Sequence, residues 1–232
     1  MKKYDVIVVG MGPSSVFFAY EYLKLNKTKN ILLIDQGKAV EKRNCPIEKI
    51  GKCTKCKPFC NITSGFSGAG AFSDGKLSLY NEEEDDIYVG GNLHKYIGVE
   101  NTKRLIDYTD KIYLDFGADH KLEGTEYKEE VSKMKEKAKK QGIDLISIPI
   151  RHLGTEKAHE LYKKLEDYLA QNGIEMKFET IVQDLIIENN KVKGVKIKPA
   201  RFVEDEEYSD FEEVYGDKVV IAVRKKRRKL AS

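Results

Sequence analysis

One pattern near the start of the chain narrows its possible folds more than anything else in it. Tyr4 to Val9 is an almost unbroken apolar run, Gly10-Met11-Gly12-Pro13-Ser14-Ser15 follows, and Val16, Ala19, Tyr20 and Leu23 then recur at helical spacing. Ile31-Leu32-Leu33-Ile34-Asp35 is a second apolar run. Runs without polar alternation suit parallel strands covered on both faces. Pro13 suits a first helical turn, where its missing N–H costs nothing. The expectation is a β-α-β unit complete by residue 35.

The turn inside that unit carries chemistry. In Gly10-x-Gly12-x-x-Ser15 the first glycine permits a tight turn, and the second lets a pyrophosphate approach backbone amides at a helix N-terminus. Ser15 stands where a third glycine is usual, and is small enough for close helix–strand packing. Asp35 follows Ser15 by twenty residues at the end of the second run, where a carboxylate can accept ribose hydroxyls. A 2′-phosphate would meet a like charge there, so the pattern suits FAD or NAD rather than NADP.

Composition excludes several alternatives. At 232 residues and 41% hydrophobic, the chain can bury a core. Met1-Lys2-Lys3 before the first run has no cleavage-type site after it and reads as the lead-in to a strand rather than a secretion signal. No stretch approaches the roughly 20 apolar residues of a membrane span, so a cytoplasmic protein without a membrane partner is expected. The net charge of +3 arises because six of the 41 basic residues form the block Arg224 to Lys229, and the rest is slightly acidic. That block has no aromatic residue to stack a base, so it reads as a solvated tail and not a nucleic-acid site.

After Asp35 the repeat expected of an ordinary nicotinamide-binding domain is interrupted. Cys45, Cys53, Cys56 and Cys60 cluster within sixteen residues, a spacing that suits zinc or an iron–sulfur cluster. Lys52 and Lys55 equally suit redox-active thiols, and structural cysteines are a third reading. Gly65 to Gly75 holds four glycines among apolar residues, as in a loop facing a cofactor. Two helices are expected before residue 142, the first carrying Leu105, Ile106, Thr109, Ile112 and Tyr113 on one side, the second, Glu126 to Gln141, mostly charged. Ile143 to Ile148 is an expected short strand. Arg151 and His152 then stand before a helix opening at Thr155, a place suited to an anionic substrate or cofactor. That helix carries Ala158, Leu161, Leu165 and Leu169 and stops at Gly173. Strands are expected over Ile174 to Phe178, Ile181 to Ile187, Val192 to Ile197 and Lys218 to Val223, with Asn189-Asn190 turning a hairpin.

The domain organisation read from this pattern is a first part of a nucleotide-binding domain over 1–80, an inserted helical segment over 81–142, a return to the same domain over 143–223, and a basic tail over 224–232. The fold class is α/β, a Rossmann-type FAD/NAD(P)-binding fold with a partly helical insert and a β-hairpin.

Taken together, Val8 to Ser15, Cys45-Pro46, Gly68-Ala69-Gly70-Ala71-Phe72-Ser73-Asp74-Gly75-Lys76-Leu77 and Arg151 to Thr155 resemble the bacterial and archaeal family of FAD-dependent dehydrogenases. The resemblance implies a flavoprotein of the glutathione-reductase type of fold, with NAD(P)H as electron donor. It implies a pyrophosphate held at Gly10, Gly12, Pro13, Ser14 and Ser15, an adenosine ribose at Asp35, and an adenine against the backbone of Val182. Gly68, Ala69, Gly70, Ser73, Asp74 and Lys76 would border the flavin. Similar proteins continue with glycine and a long further region after the strand matching Val219 to Val223. Arg224 stands there instead, which implies a shortened member with weakened flavin retention.

The leading expectation is an FAD-dependent oxidoreductase acting on a small-molecule substrate. The rivals are an NAD-dependent dehydrogenase and a non-catalytic nucleotide-binding fragment clamped by a cysteine-bound metal.

Overall fold

A computed structural model describes residues 3–25, 30–72, 75–80, 89–124, 126–205 and 207–223. Ser73, Asp74, the acidic loop 82–86 and the basic block 224–229 lie outside the described residues. In chain order the elements are β1 (Lys3–Val9), α1 (Pro13–Leu25), β2 (Ile31–Ile34), α2 (Ile47–Ile50), β3 (Lys76–Ser78), α3 (His94–Ile97), α4 (Val99–Asp115), α5 (Lys128–Lys140), β4 (Ile150–His152), α6 (Thr155–Gln171), β5 (Glu175–Lys177), β6 (Thr180–Glu188), β7 (Lys191–Pro199) and β8 (Glu212–Ile221). The chain divides into two compact units, Met1–Phe72 with Tyr162–Ser232, and Ser73–Leu161.

The first unit is built on a six-stranded sheet of order β5-β2-β1-β8-β7-β6. Strands β5, β2, β1 and β8 run parallel, while β7 pairs antiparallel with both β8 and β6. β1 is central, and its last residue, Val9, stands in register with Ile34 on one side and Ile221 on the other. Both faces of β1 and β2 are covered: Ile7, Val8, Leu32 and Leu33 are fully buried, as runs without alternation require. Tyr4, Ile7, Val9, Leu32 and Ile34 share a core cluster with Val182, Val195, Ile197 and Val214 from the antiparallel side. Helix α1 buries Val16, Ala19, Tyr20 and Leu23, one helical stripe, and its Tyr20 ring lies 5.7 Å from that of Tyr168 on α6. Asn189 and Asn190, at φ of 51° and 59°, form the tight turn between β6 and β7. Gly173, at φ of 89°, follows α6.

In the second unit β3 pairs antiparallel with β4, and α4 and α5 supply the two helices expected. Of α4 only Thr102 and Ile112 are buried, and of α5 nothing is. The expected strand at Ile143 to Ile148 does not form, and Ile143 and Ile146 are exposed. A short apolar run becomes a strand only with a pairing partner, and pairing begins at Ile150, opposite Ser78. β8 begins six residues earlier than the apolar run, at Glu212, because pairing with β7 and β1 recruits polar residues. No helix among the described residues is long and apolar enough to cross a membrane.

Candidate functional site

Three strand ends meet at one place in the first unit. The chain leaves β1 through Gly10, whose φ of +98° favours glycine, and an added Cβ would lie 2.7 Å from the carbonyl oxygen of Ala222 just past β8. The Gly10 amide donates to Ile34 O at 2.7 Å, and the Ala222 amide to Val9 O at 2.9 Å. Gly12 differs: its Cβ would meet nothing within 4 Å, so it leaves an open approach to the N-terminus of α1. Ser15 is buried, and its amide donates to the Gly12 carbonyl at 3.0 Å.

Asp35 is the hub on the second strand. Its Oδ2 accepts from Met11 N at 2.9 Å, and its Oδ1 accepts from Gly37 N at 2.7 Å and Gly65 N at 2.8 Å. One carboxylate thus ties the glycine turn, the exit of β2 and a loop thirty residues away into a single frame. A carboxylate offers about four acceptor positions, so one remains for a ribose hydroxyl. Gly37 and Gly65 approach so closely that a Cβ on Gly37 would sit 2.2 Å from Gly65 N.

The Asn61–Gly68 loop is held from behind by Arg43. This buried guanidinium donates to the carbonyls of Asn61 at 2.8 Å, Phe66 at 2.5 Å, Ile62 at 2.5 Å and Gly68 at 2.6 Å. Its charge also faces the Phe72 ring at 4.6 Å. Burial pushes its pKa down to about 10, with the charges of Asp35, Cys60 and Glu166 opposing the fall, so it stays protonated at neutral pH. Glu166, also buried, accepts from Val40 N at 3.0 Å. Burial raises its pKa above the ordinary value, against the Val40 amide and Lys163.

The glycine turn, Asp35 and the loop that Arg43 holds from behind border a cleft of about 810 Å³ at the C-terminal ends of β1, β2 and β8. This is the switch point of the sheet, where β2 lies to one side of β1 and β8 to the other, and where open α/β sheets bind ligands. Of the residues expected from sequence, Gly10, Gly12, Pro13, Ser14, Asp35, Gly68, Ala69 and Val182 line it. Gly70 packs instead against Tyr162, whose hydroxyl would lie 3.1 Å from an added Cβ. Lys76 lies on β3 in the second unit. Gln36, Phe59, Thr63 and Ser64 also line the cleft and carried no signal in the sequence, since none belongs to a motif. Arg43 was hidden for another reason: in Glu41-Lys42-Arg43 it reads as one more surface charge.

Arg151 is held by structure rather than offered to a ligand. It is buried in the second unit, bidentate to Asp110 through Nε at 2.5 Å and Nη2 at 2.6 Å, and also bonded to the carbonyl of Asp119. His152 is exposed, with Nδ1 3.5 Å from Glu123 Oε1.

The four cysteines are free thiols bordering one cavity of about 320 Å³. Among the described residues, however, no group of three or more His, Cys, Asp or Glu side chains is arranged to hold a metal ion. The expected zinc or iron–sulfur set at Cys45, Cys53, Cys56 and Cys60 is not supported by this arrangement. The sulfurs are taken up locally instead: Cys53 Sγ accepts from Lys55 N at 3.4 Å, and Cys56 Sγ lies 3.6 Å from Thr54 Oγ1. Burial alone would raise the Cys60 thiol, but the amides of Ile62 and Thr63, the Thr63 hydroxyl and the charge of Arg43 outweigh it and hold the pKa below its ordinary value.

Comparison with known proteins bears on the whole arrangement. Among solved structures, the 3-ketosteroid-Δ4-(5α)-dehydrogenase of Rhodococcus jostii RHA1 in complex with 4-androstene-3,17-dione is similar with a TM-score of 0.53, at 14% identity over 94% of this chain and 45% of that one. The glycine oxidase of Bacillus cereus matches with a TM-score of 0.50, at 17% identity over 98% of this chain and 57% of that one. The chain shares the Rossmann-type α/β fold of these two proteins. It spans about half the length of these structures. No family model matches the sequence. A protein of Clostridium beijerinckii described as uncharacterized is 36% identical over 72 residues, 31% of this chain and 13% of that protein.

Proposed function

We propose that the cleft binds FAD and that the chain is the nucleotide-binding part of an FAD-dependent oxidoreductase acting on a small-molecule substrate. The observation that carries the reading is the pairing of Gly12, whose missing Cβ leaves open space before the α1 N-terminus, with the one acceptor position left on Asp35. The first suits a pyrophosphate and the second a ribose, and the cleft between them extends to Val182, where an adenine would lie. When bound, FAD would supply the electron-carrying ring. The residues of this chain would hold the adenosine and diphosphate portion, through the positive end of α1, the Asp35 carboxylate and the apolar wall of Val9, Ile34 and Val182. NAD(P)H as electron donor rests on the sequence resemblance alone.

The test is to denature the purified protein and identify the nucleotide released. FAD is the expected product, and NAD as the sole nucleotide would overturn the assignment. If no nucleotide is retained, titration with FAD by fluorescence quenching decides the same question, with no saturable quenching as the adverse result.

A further inference from the structure

Cys60 stands on the wall of two different cavities. One is the space of about 320 Å³ that it shares with Cys45, Cys53 and Cys56. The other, of about 400 Å³, is basic: Lys38, Lys57 and Arg201 face it against the single carboxylate of Glu179, with Gln36 and Asn61 adding polar groups. Lys57 is paired with Glu204 at 2.5 Å on the exposed rim, and Arg201 lies over the Phe202 ring, so Lys38 and Arg201 carry most of the attraction for an anion. Cys60 is exposed and is the one of the four cysteines that also borders the basic cavity, and the Ile62 and Thr63 amides with the Arg43 charge hold its thiol below the ordinary pKa. Such surroundings favour the thiolate, which is the nucleophile in thiol chemistry.

We propose that Cys60 is the attacking thiol of a thiol–disulfide exchange site that takes an anionic low-molecular-weight disulfide from the basic cavity and is resolved by a second cysteine from the other. In the first step the Cys60 thiolate attacks one sulfur of the ligand disulfide. The ligand S–S bond breaks, a mixed disulfide forms on Cys60, and one ligand thiolate leaves. In the second step a neighbouring cysteine loses its proton to solvent or to the departing thiolate and attacks Cys60 Sγ. An intrachain disulfide forms and the second ligand thiolate leaves. The protein gives up two electrons and two thiol protons, and the ligand disulfide becomes two thiols. Cys53 and Cys56 are suited to the second step because residues 51–60 contain no helix or strand. Moving a thiol toward Cys60 there breaks no regular backbone hydrogen bonding. Phe59, beside Cys60, lines both the basic cavity and the main cleft, so exchange at Cys60 acts on a wall of the nucleotide site.

The exchange step does not depend on which nucleotide occupies the main cleft. The test mixes the full reduced chain with glutathione disulfide, which is anionic, and separately with bis(2-hydroxyethyl) disulfide, which is neutral, and follows intact mass and peptide maps over time. The expected result is a mixed disulfide appearing first at Cys60, faster with the anionic reagent, then giving way to a disulfide joining Cys60 to Cys45, Cys53 or Cys56. Cys60→Ser should lose the adduct. Lys38→Ala with Arg201→Ala should lose the preference for the anionic reagent while leaving alkylation of Cys60 by neutral iodoacetamide unchanged. First reaction at another cysteine, equal rates with both reagents, or an adduct on Cys60 that never resolves would each overturn the proposal. These readings come from the unmutated chain, so they hold even if a variant fails to fold.

Discussion

The cleft is walled by two segments that are built by different means. The β1–α1–β2 segment is regular: its backbone groups pair within a sheet and a helix, and Gly10 and Gly12 shape the turn between them. The Asn61–Gly68 segment has no strand and reaches helical geometry only at its last residue, and beside turn bonds and one from Phe66 N to Lys38 O its backbone relies on side chains from elsewhere. Arg43 takes four of its carbonyls and Asp35 takes the amide of Gly65. A regular wall distributes its stability over many backbone bonds, so no single side chain is decisive. An irregular wall leans far more on a few side chains, here Arg43 and Asp35, and there one substitution should be enough.

Arg43→Ala should have the largest effect. Four carbonyls lose their donor inside the protein, which at about 1 kcal/mol or somewhat less for each, after water replaces part of the loss, comes to roughly 3 kcal/mol. Urea denaturation would measure it. Hydrogen exchange should show fast amides across 61–68 with protection retained in β1 and β2. Uniform loss of protection across both walls would break the comparison.

Asp35→Asn comes next, because an amide nitrogen cannot accept the hydrogen bonds that one carboxylate oxygen now takes. A loss of about 1–3 kcal/mol is expected, accompanied by weaker FAD binding. Weaker binding with unchanged stability would mean that Asp35 serves only the ligand.

Glu166→Gln should have a smaller effect that depends on pH. Because burial raises the folded pKa of Glu166 above its unfolded value of about 4.5, the folded state binds the extra proton, and stability falls as pH rises from the unfolded toward the folded pKa. A glutamine can still accept from Val40 N but does not titrate. The variant should therefore lack this decline, gaining on the parent as pH rises through that window and holding the gain above it. Thermal melts from pH 4 to pH 8 would check this, and parallel curves for the two proteins would refute it.

Gly12→Val should change stability least, within about 0.5 kcal/mol, because the new Cβ meets no protein atom. It should nevertheless abolish most FAD binding by filling the approach to the α1 N-terminus. A variant that binds FAD normally would show that the pyrophosphate does not pass Gly12.

The amino-acid sequence alone determined the β1–α1–β2 unit, the glycine turn, Asp35 as a group facing the cleft, the β6–β7 hairpin and the α/β class. Each depends on residues close together in the chain, where periodicity and turn chemistry act directly. It also pointed to Val182, though through resemblance and not through any local pattern. Tertiary structure decided the rest. The burial of Arg43 and Glu166 came from packing that a charged stretch and a helical polar position do not announce. Arg151 became a buried partner of Asp110 because the two meet across 41 positions of chain, and the four cysteines met at one cavity without forming a metal set. Local pattern specifies which backbone hydrogen bonds are satisfied nearby. Whether a distant polar side chain is buried, and which orphaned carbonyls it must satisfy there, is set only when the chain closes on itself.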